Sequence, residues 1–183
     1  MLFSQRLRLR PIQRSDLPFF VEWLNDPEVR QFITVTVPLS LEEEEQWYEQ
    51  MLKQPKPERP FAIEVREEGE WRLIGNITLF DLSWVNRSAE VGILIGDKRF
   101  WNRGYGREAM RLMVQHAFET LNLNRVYLRV DVENIRGIKS YEQAGFVKEG
   151  ILRQANYRNG KYSDMMVMSV LRSEWQTPTR EGV

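Results

Sequence analysis

The sequence predicts an α+β domain built on a mixed, mostly antiparallel sheet. Three observations carry that prediction. From residue 61 to 96, three strand-like runs follow one another across short turns. From residue 104 onward, helical periodicity alternates with strand-like runs, so helices connect strands there. The last two apolar runs flank Asn159-Gly160, a dipeptide that favours a two-residue hairpin turn. The chain has 183 residues, 42% hydrophobic and 28% charged, which is enough for one domain with its own core.

Each element has its own signal. Arg6 to Ile12 alternates polar and apolar and reads as a strand. Ser15 is placed to cap a helix with Asp16 in its first turn. Leu17, Phe20, Val21 and Leu24 follow at helical spacing, and Asn25-Asp26-Pro27 ends the run. Ser40 with Glu43 forms a capping-box pattern for a second helix reaching about Lys53. The run Glu42 to Glu45 reads as a solvated face favoured by the helix dipole, the alternative being attraction of a cationic substrate. Pro55, Pro57 and Pro60 mark a loop. Strands follow at Phe61 to Glu67, Trp71 to Leu82 and Ser88 to Gly96, the first two joined by Glu68-Gly69-Glu70. Beyond a glycine-rich turn, Ala109, Leu112, Met113, Ala117 and Leu121 line one helical face. Arg107, Arg111, Gln115 and Glu119 cover another. Arg125 to Val132 is a strand, and Ile135 to Ala144 a helix stopped by Gly145. Phe146 to Tyr157 and Lys161 to Leu171 make the closing hairpin. Residues 1–175 are expected to form a single domain, with 176–183 a polar, frayed tail.

Composition excludes several classes of function. Lys plus Arg and Asp plus Glu both number 26, so the net charge is zero, unlike the basic excess of a nucleic-acid binder. Cysteine is absent, which rules out disulfides, a thiolate nucleophile and thiolate metal ligands. His116, the single histidine, cannot build a zinc site and reads as a packing residue. No apolar run reaches the roughly 20 residues of a membrane span. Met1 to Arg6 lacks the apolar core of a signal peptide. A cytoplasmic monomer or homodimer is the expectation.

The most informative stretch is Arg99 to Ala109. It lies between the apolar run Val91 to Ile95 and the long helical pattern, so it is a strand, a glycine-rich turn and a helix N-terminus. Unpaired N–H groups and the helix dipole attract anions there. Glycine lets an anion approach the backbone, and Arg103 and Arg107 add positive charge. The turn is a candidate pyrophosphate cradle. It is not a Walker loop, because Gly106-Arg107-Glu108 lacks the Gly-Lys-Ser/Thr ending. A dinucleotide fingerprint tolerates Ala109 at its third glycine place. Its acidic ribose ligand, however, would fall near Asn124-Arg125-Val126, where there is no carboxylate.

Trp101-Asn102-Arg103-Gly104-Tyr105-Gly106 resembles the coenzyme A loop of the GNAT superfamily of N-acetyltransferases, whose pattern is Gln/Arg-x-x-Gly-x-Gly/Ala. Trp101 stands in the Gln/Arg place. That variant is similar to the branch holding ribosomal-protein N-terminal acetyltransferases and spermidine acetyltransferases. The resemblance continues through Asn134 to Phe146 and Asn159 to Asp164, and reaches back to Leu7 to Pro11, so it spans nearly the whole chain. It implies a central sheet with helices on both faces, splayed between the fourth and fifth predicted strands, with the pantetheine arm in the opening. It implies acetyl-coenzyme A as cosubstrate, no metal, and transfer to a primary amine by direct attack in a ternary complex. The acceptor would be a small molecule or a protein N-terminus, with neither nucleic acid nor membrane as partner. The alternative is a coenzyme A-binding sensor or scaffold without turnover.

The chemistry defines the roles. An alkyl amine, with pKa near ~10, must lose a proton before it attacks, and the leaving thiolate gains from a proton donor. The resemblance assigns the cofactor anchor to Asn102, Arg103, Gly104, Tyr105, Gly106 and Arg107. The backbone of Ile93, Leu94 and Ile95 would pair with pantetheine amides as an added strand does. Asn134 would hydrogen-bond the pantetheine arm, or cap the helix opening at Ile135. Tyr141, about two helical turns further along the same face, would protonate the thiolate, or simply pack beside Phe146. Glu90 would polarise a water chain to the amine, or pair with Arg87 or another neighbour on the open sheet face. The first two helices, the Pro55 to Pro57 loop and the Asn159-Gly160 hairpin would set specificity.

Overall fold

The computed structural model describes residues 1–33 and 37–175, so the tail expected at 176–183 lies outside the described residues. The elements run β1 (Leu2–Phe3), β2 (Leu7–Pro11), α1 (Leu17–Asn25), α2 (Leu41–Met51), β3 (Phe61–Glu67), β4 (Glu70–Ser83), β5 (Ser88–Ile95), α3 (Tyr105–Gln115), β6 (Arg125–Asp131), α4 (Ile135–Gln143), β7 (Val147–Arg158) and β8 (Lys161–Leu171). The strands form one sheet in the order β1-β2-β3-β4-β5-β6-β8-β7. Every neighbouring pair is antiparallel except β5 with β6.

That parallel pair creates the opening. It holds only from Ser88–Arg125 to Glu90–Tyr127, whereas β5 stays paired to β4 as far as Ile95. Beyond Glu90 the backbone of β5 faces β6 without a strand partner. This is the splay implied by the family resemblance.

Alternation along the strands builds a core on each face. Ile63, Val65, Ile77, Val91, Leu128 and Val130 pack with Met110, Met113 and Ile138 of α3 and α4. Ala62 and Leu94, the neighbours with opposite pleat, pack with Leu17, Phe20 and Trp23 of α1 and Met51 of α2. Each large apolar side chain buried this way contributes about 1.5–3 kcal/mol relative to exposure. Among the described residues, no helix is long and apolar enough to cross a membrane.

Three local expectations are corrected. Ser15 does not cap α1. Arg14–Asp16 form a 3-10 turn, and the Asp16 carboxylate accepts from Gln13 N at 2.7 Å while the Arg10 guanidinium grips it at 2.7 and 2.8 Å. The helical run after the glycine turn does not stay α-helical to Leu121. It widens into a π turn over His116–Thr120, with His116 against Phe61. The glutamate run of α2 is not wholly solvated either. Ser40 and Glu43 make the expected capping box, with Ser40 Oγ accepting from Glu43 N and Glu43 accepting from Ser40 N. Glu44, however, is only 6% exposed. It shares the inward face of α2 with Tyr48 and Met51, as i, i+4 and i+7 spacing requires.

The Glu44 side chain makes no hydrogen bond or ion pair among the described residues. Burial pushes its carboxyl up to about 7. The folded state therefore holds the proton more tightly than the unfolded chain. The associated stability is full below the unfolded value of ~4.3 and is lost as pH rises through about 7. Glu44→Leu is expected to flatten stability between about pH 5 and 8 and to raise the Tm at pH 8. Removing a burial cost of about 2 kcal/mol corresponds to about 4–8 °C in a chain of this size. Calorimetric scans across that range check this, and a wild-type Tm that does not fall with rising pH would count against it.

Candidate active site

The glycine turn is built from the core outward. Asp97 accepts from Arg99 N at 3.1 Å, starting the 3-10 turn Lys98–Phe100, and buried Phe100 pins it. Asn102 and Gly104 take left-handed φ of 60° and 82°. Gly104 is the N-cap of α3 and supplies no side-chain cap, so the first-turn N–H groups of α3 are left for a ligand. Arg6 buttresses the turn. Its guanidinium bonds Glu108 Oε2 at 2.8 Å and the Arg103 carbonyl at 3.2 Å, and lies 4.7 Å from the Tyr105 ring centre.

Gly106 tests whether the turn suits a pyrophosphate. Its φ is not left-handed, and a Cβ there would meet Ser140 Oγ at 3.7 Å and Ile95 Cγ1 at 3.8 Å, ordinary contact distances. The protein's own packing does not require glycine at this place, and glycine in a helix is worse than alanine by about 0.5–1 kcal/mol. An anion approaching the bare backbone explains it.

A cavity of about 350 Å³ opens beside this turn. Ile93, Leu94 and Ile95 of β5, Asn102, Gly104, Tyr105, Gly106 and Arg107 of the turn, and Asn134 and Tyr141 of α4 all line it. Val29, Phe32 and Ile33, from the 3-10 turn after α1, add an apolar wall. The Leu94 side chain belongs to the second core. The Ile95 carbonyl already accepts from Trp101 Nε1 at 2.7 Å. Trp101 thus folds the loop back onto the strand end that it leaves.

Asn134 serves as the cap of α4, its Oδ1 accepting from Gly137 N at 2.9 Å. Its amide NH2 is the group left to meet a ligand. Tyr141 lies 6.3 Å, ring to ring, from Phe146, and burial pushes its phenol up to about 12. It stays protonated across the physiological range, as a proton donor must.

Two expected residues stand apart. Arg103 does not line the cavity; its guanidinium lies 5.6 Å from the Phe100 ring centre. Glu90 does not line it either. It is 4% exposed, on the last paired rung before the splay, and both its oxygens accept from Arg129 at 2.9 Å. The partner is not Arg87, which bonds Asn122 instead. The sequence reading missed Arg136 and Lys139, which line the cavity from α4. Arg136 lies 3.8 Å from the Trp101 ring centre. Two basic residues just past Asn134, at i+2 and i+5 on the helix that carries Tyr141, were the available signal.

Residues 6–147 match the acetyltransferase (GNAT) domain family. The chain belongs to the GNAT acetyltransferases. It is 31% identical over 172 residues to spermidine N(1)-acetyltransferase of Vibrio cholerae, covering 94% of this chain and 96% of that one. The crystal structure of spermidine N-acetyltransferase from Vibrio cholerae with CoA and spermine superposes with a TM-score of 0.85 at 31% identity, covering 93% of this chain and 98% of that one. A shorter match, 39% identical over 104 residues, covers 57% of this chain and 56% of YdaF from Bacillus subtilis, whose name assigns it provisionally to the ribosomal N-acetyltransferases. This GNAT chain is an acetyl-coenzyme A-dependent N-acetyltransferase that acts on an amine. Bound acetyl-coenzyme A supplies a thioester-activated acetyl group. The α3 N-terminus with Arg107 would hold its pyrophosphate, and the open edge of β5 with Asn134 its pantetheine arm.

Proposed function

We propose that the acceptor is a small polycationic amine of the polyamine class. The observation that carries this reading is that the likeness to spermidine acetyltransferases runs the length of both chains, through the first two helices and the closing hairpin. Tyr141 donates its phenolic proton to the departing sulfur as the new N–C bond forms and the C–S bond breaks. Glu90, at the vertex of the splay and outside the cavity wall, takes the ammonium proton through water. The absence of cysteine suits the cytoplasm, the compartment we propose.

The second reading is a protein N-terminus. Arg129, half exposed beside Glu90, favours it, because a fixed guanidinium opposes a polycation and tolerates a peptide.

An amine panel with acetyl-coenzyme A, read by free thiol release, separates the two. Turnover of spermidine-like amines and not of peptides is expected; turnover of peptides alone would overturn the proposal. The same panel run with Glu90→Gln tests the base. The rate should rise with pH through an ionisation that the substitution alters. Amines near ~10 should lose more than an N-terminal amine near ~8. An unchanged profile would assign the proton to solvent.

A further inference from the structure

We propose that Arg158 is a positioning residue for the acceptor amine, strapping the β7–β8 hairpin to the 3-10 turn Val29–Phe32 and so fixing the wall that Phe32 and Ile33 give the cavity. This rests on the reading that the amine meets the thioester beside Tyr141, on the cavity side lined by that turn.

Arg158 is the last residue of β7, held rigidly next to a two-residue turn in which Asn159 and Gly160 both have positive φ, 51° and 77°. Its guanidinium reaches across the sheet end. Nη1 donates to the Gln31 carbonyl, and the fork lies 4.7 Å from the Phe32 ring centre. Nη2 stands 3.3 Å from Asp131 Oδ2 and 3.6 Å from Glu133 Oε2. Asp131, 4% exposed at the end of β6, is itself fully engaged. It accepts from Ser163 Oγ at 2.7 Å, Asn156 Nδ2 at 3.3 Å and Glu133 N at 2.9 Å. Its carbonyl accepts from Asn134 N at 2.9 Å. One buried carboxylate and one guanidinium thus join both strands of the hairpin, the turn that delivers Asn134, and the Val29–Phe32 turn.

The Val29–Phe32 turn needs such a tether. It is one short 3-10 segment carrying two cavity-wall residues, and a turn of that length has little stability of its own. Only a planar fork can meet a carbonyl, two carboxylates and an aromatic face together; a lysine ammonium is a single point charge. The pyrophosphate cradle stands at the N-terminus of α3, apart from this strap, and Asn134 meets the strap through its backbone bond to the Asp131 carbonyl, which neither an Arg158 nor an Asp131 side-chain substitution removes.

Two measurements test the proposal. In steady-state kinetics with the best amine of the panel, Arg158→Ala should raise the acceptor KM by about tenfold, with coenzyme A affinity unchanged by calorimetry. Arg158→Lys should recover only part of the loss, and Asp131→Asn should reproduce a milder form. An unchanged acceptor KM, or a parallel loss of coenzyme A affinity, would overturn it. Hydrogen exchange of the free protein reads the strap without any acceptor. The Ile33 amide, bonded to the Arg30 carbonyl at 2.9 Å, should exchange faster in Arg158→Ala and less so in Arg158→Lys. Exchange equal to wild type sinks the strap even where amine turnover is found. Faster exchange in a protein that acetylates no small amine would keep the strap and remove the polyamine reading.

Discussion

Gly104→Asp is expected to weaken coenzyme A binding by at least about a hundredfold, the largest loss that any single substitution in the loop should cause. Two effects add. Gly104 has φ of 82°, where a residue with a Cβ costs roughly 1–2 kcal/mol. The new Cβ would stand 3.4 Å from the Arg6 guanidinium and 3.5 Å from that of Arg107. A carboxylate on that Cβ would recruit both cations and place negative charge where the pyrophosphate belongs. Against a ligand of the same sign at short range, repulsion and the loss of Arg107 each cost on the order of 1–3 kcal/mol. Gly106→Ala separates anion exclusion from backbone strain. Its Cβ meets only ordinary contacts, so the fold should be kept while affinity still falls. Calorimetry with coenzyme A, and with pantetheine lacking the pyrophosphate, checks both variants. The pyrophosphate-free ligand should bind weakly to wild type and be little affected by either change. Equal coenzyme A affinity for wild type and Gly104→Asp would defeat the cradle.

The parts of this enzyme that the sequence discloses are those whose constraint is local. β3 runs over the residues predicted because an apolar, β-branched run is closed at both ends by Pro60 and Glu68-Gly69. The Ser40 box and the Asn159-Gly160 turn need only their own backbone geometry. The anion cradle is visible because helix N-terminus and glycine chemistry lie within a few residues. The splay is not in the periodicity; it came from the family resemblance. The features hidden in the sequence depend on how separate elements meet. Asp16 rather than Ser15 shapes the start of α1 because Arg10, from β2, grips it. Glu44 is carried inward by the phase at which α2 meets α1, which a run of four glutamates hides. Glu90 finds Arg129 rather than Arg87 because the β5–β6 register sets Glu90 against Tyr127, and Arg129 is the next residue on that face of β6. Arg158 reaches Gln31 across 127 positions, a contact that no local pattern announces.

Tyr141→Phe is expected to lower turnover by ~10²-fold while leaving coenzyme A affinity almost unchanged. The substitution removes one oxygen and keeps the ring that packs on Phe146, so the wall of the cavity stays in place. What is lost is the proton donor. Burial pushes the phenol up to about 12, so the donor form is complete throughout the working range. A raised folded value means that ionisation of Tyr141 removes activity only as pH climbs towards about 12. Any fall in rate below about pH 10 must then have another source. The phenol also lies well above the ~8.5 of a free thiol, so it does not hand over its proton in the ground state. Its gain comes as charge develops on sulfur inside the cavity, where a donor fixed in place is worth most. The loss in Tyr141→Phe should therefore shrink when the acetyl thioester carries a more acidic thiol, whose anion leaves without help. Rates with both thioesters, set beside calorimetric affinities, decide the matter. Unchanged turnover would reduce Tyr141 to packing, and an equal fall in binding and rate would make its role structural.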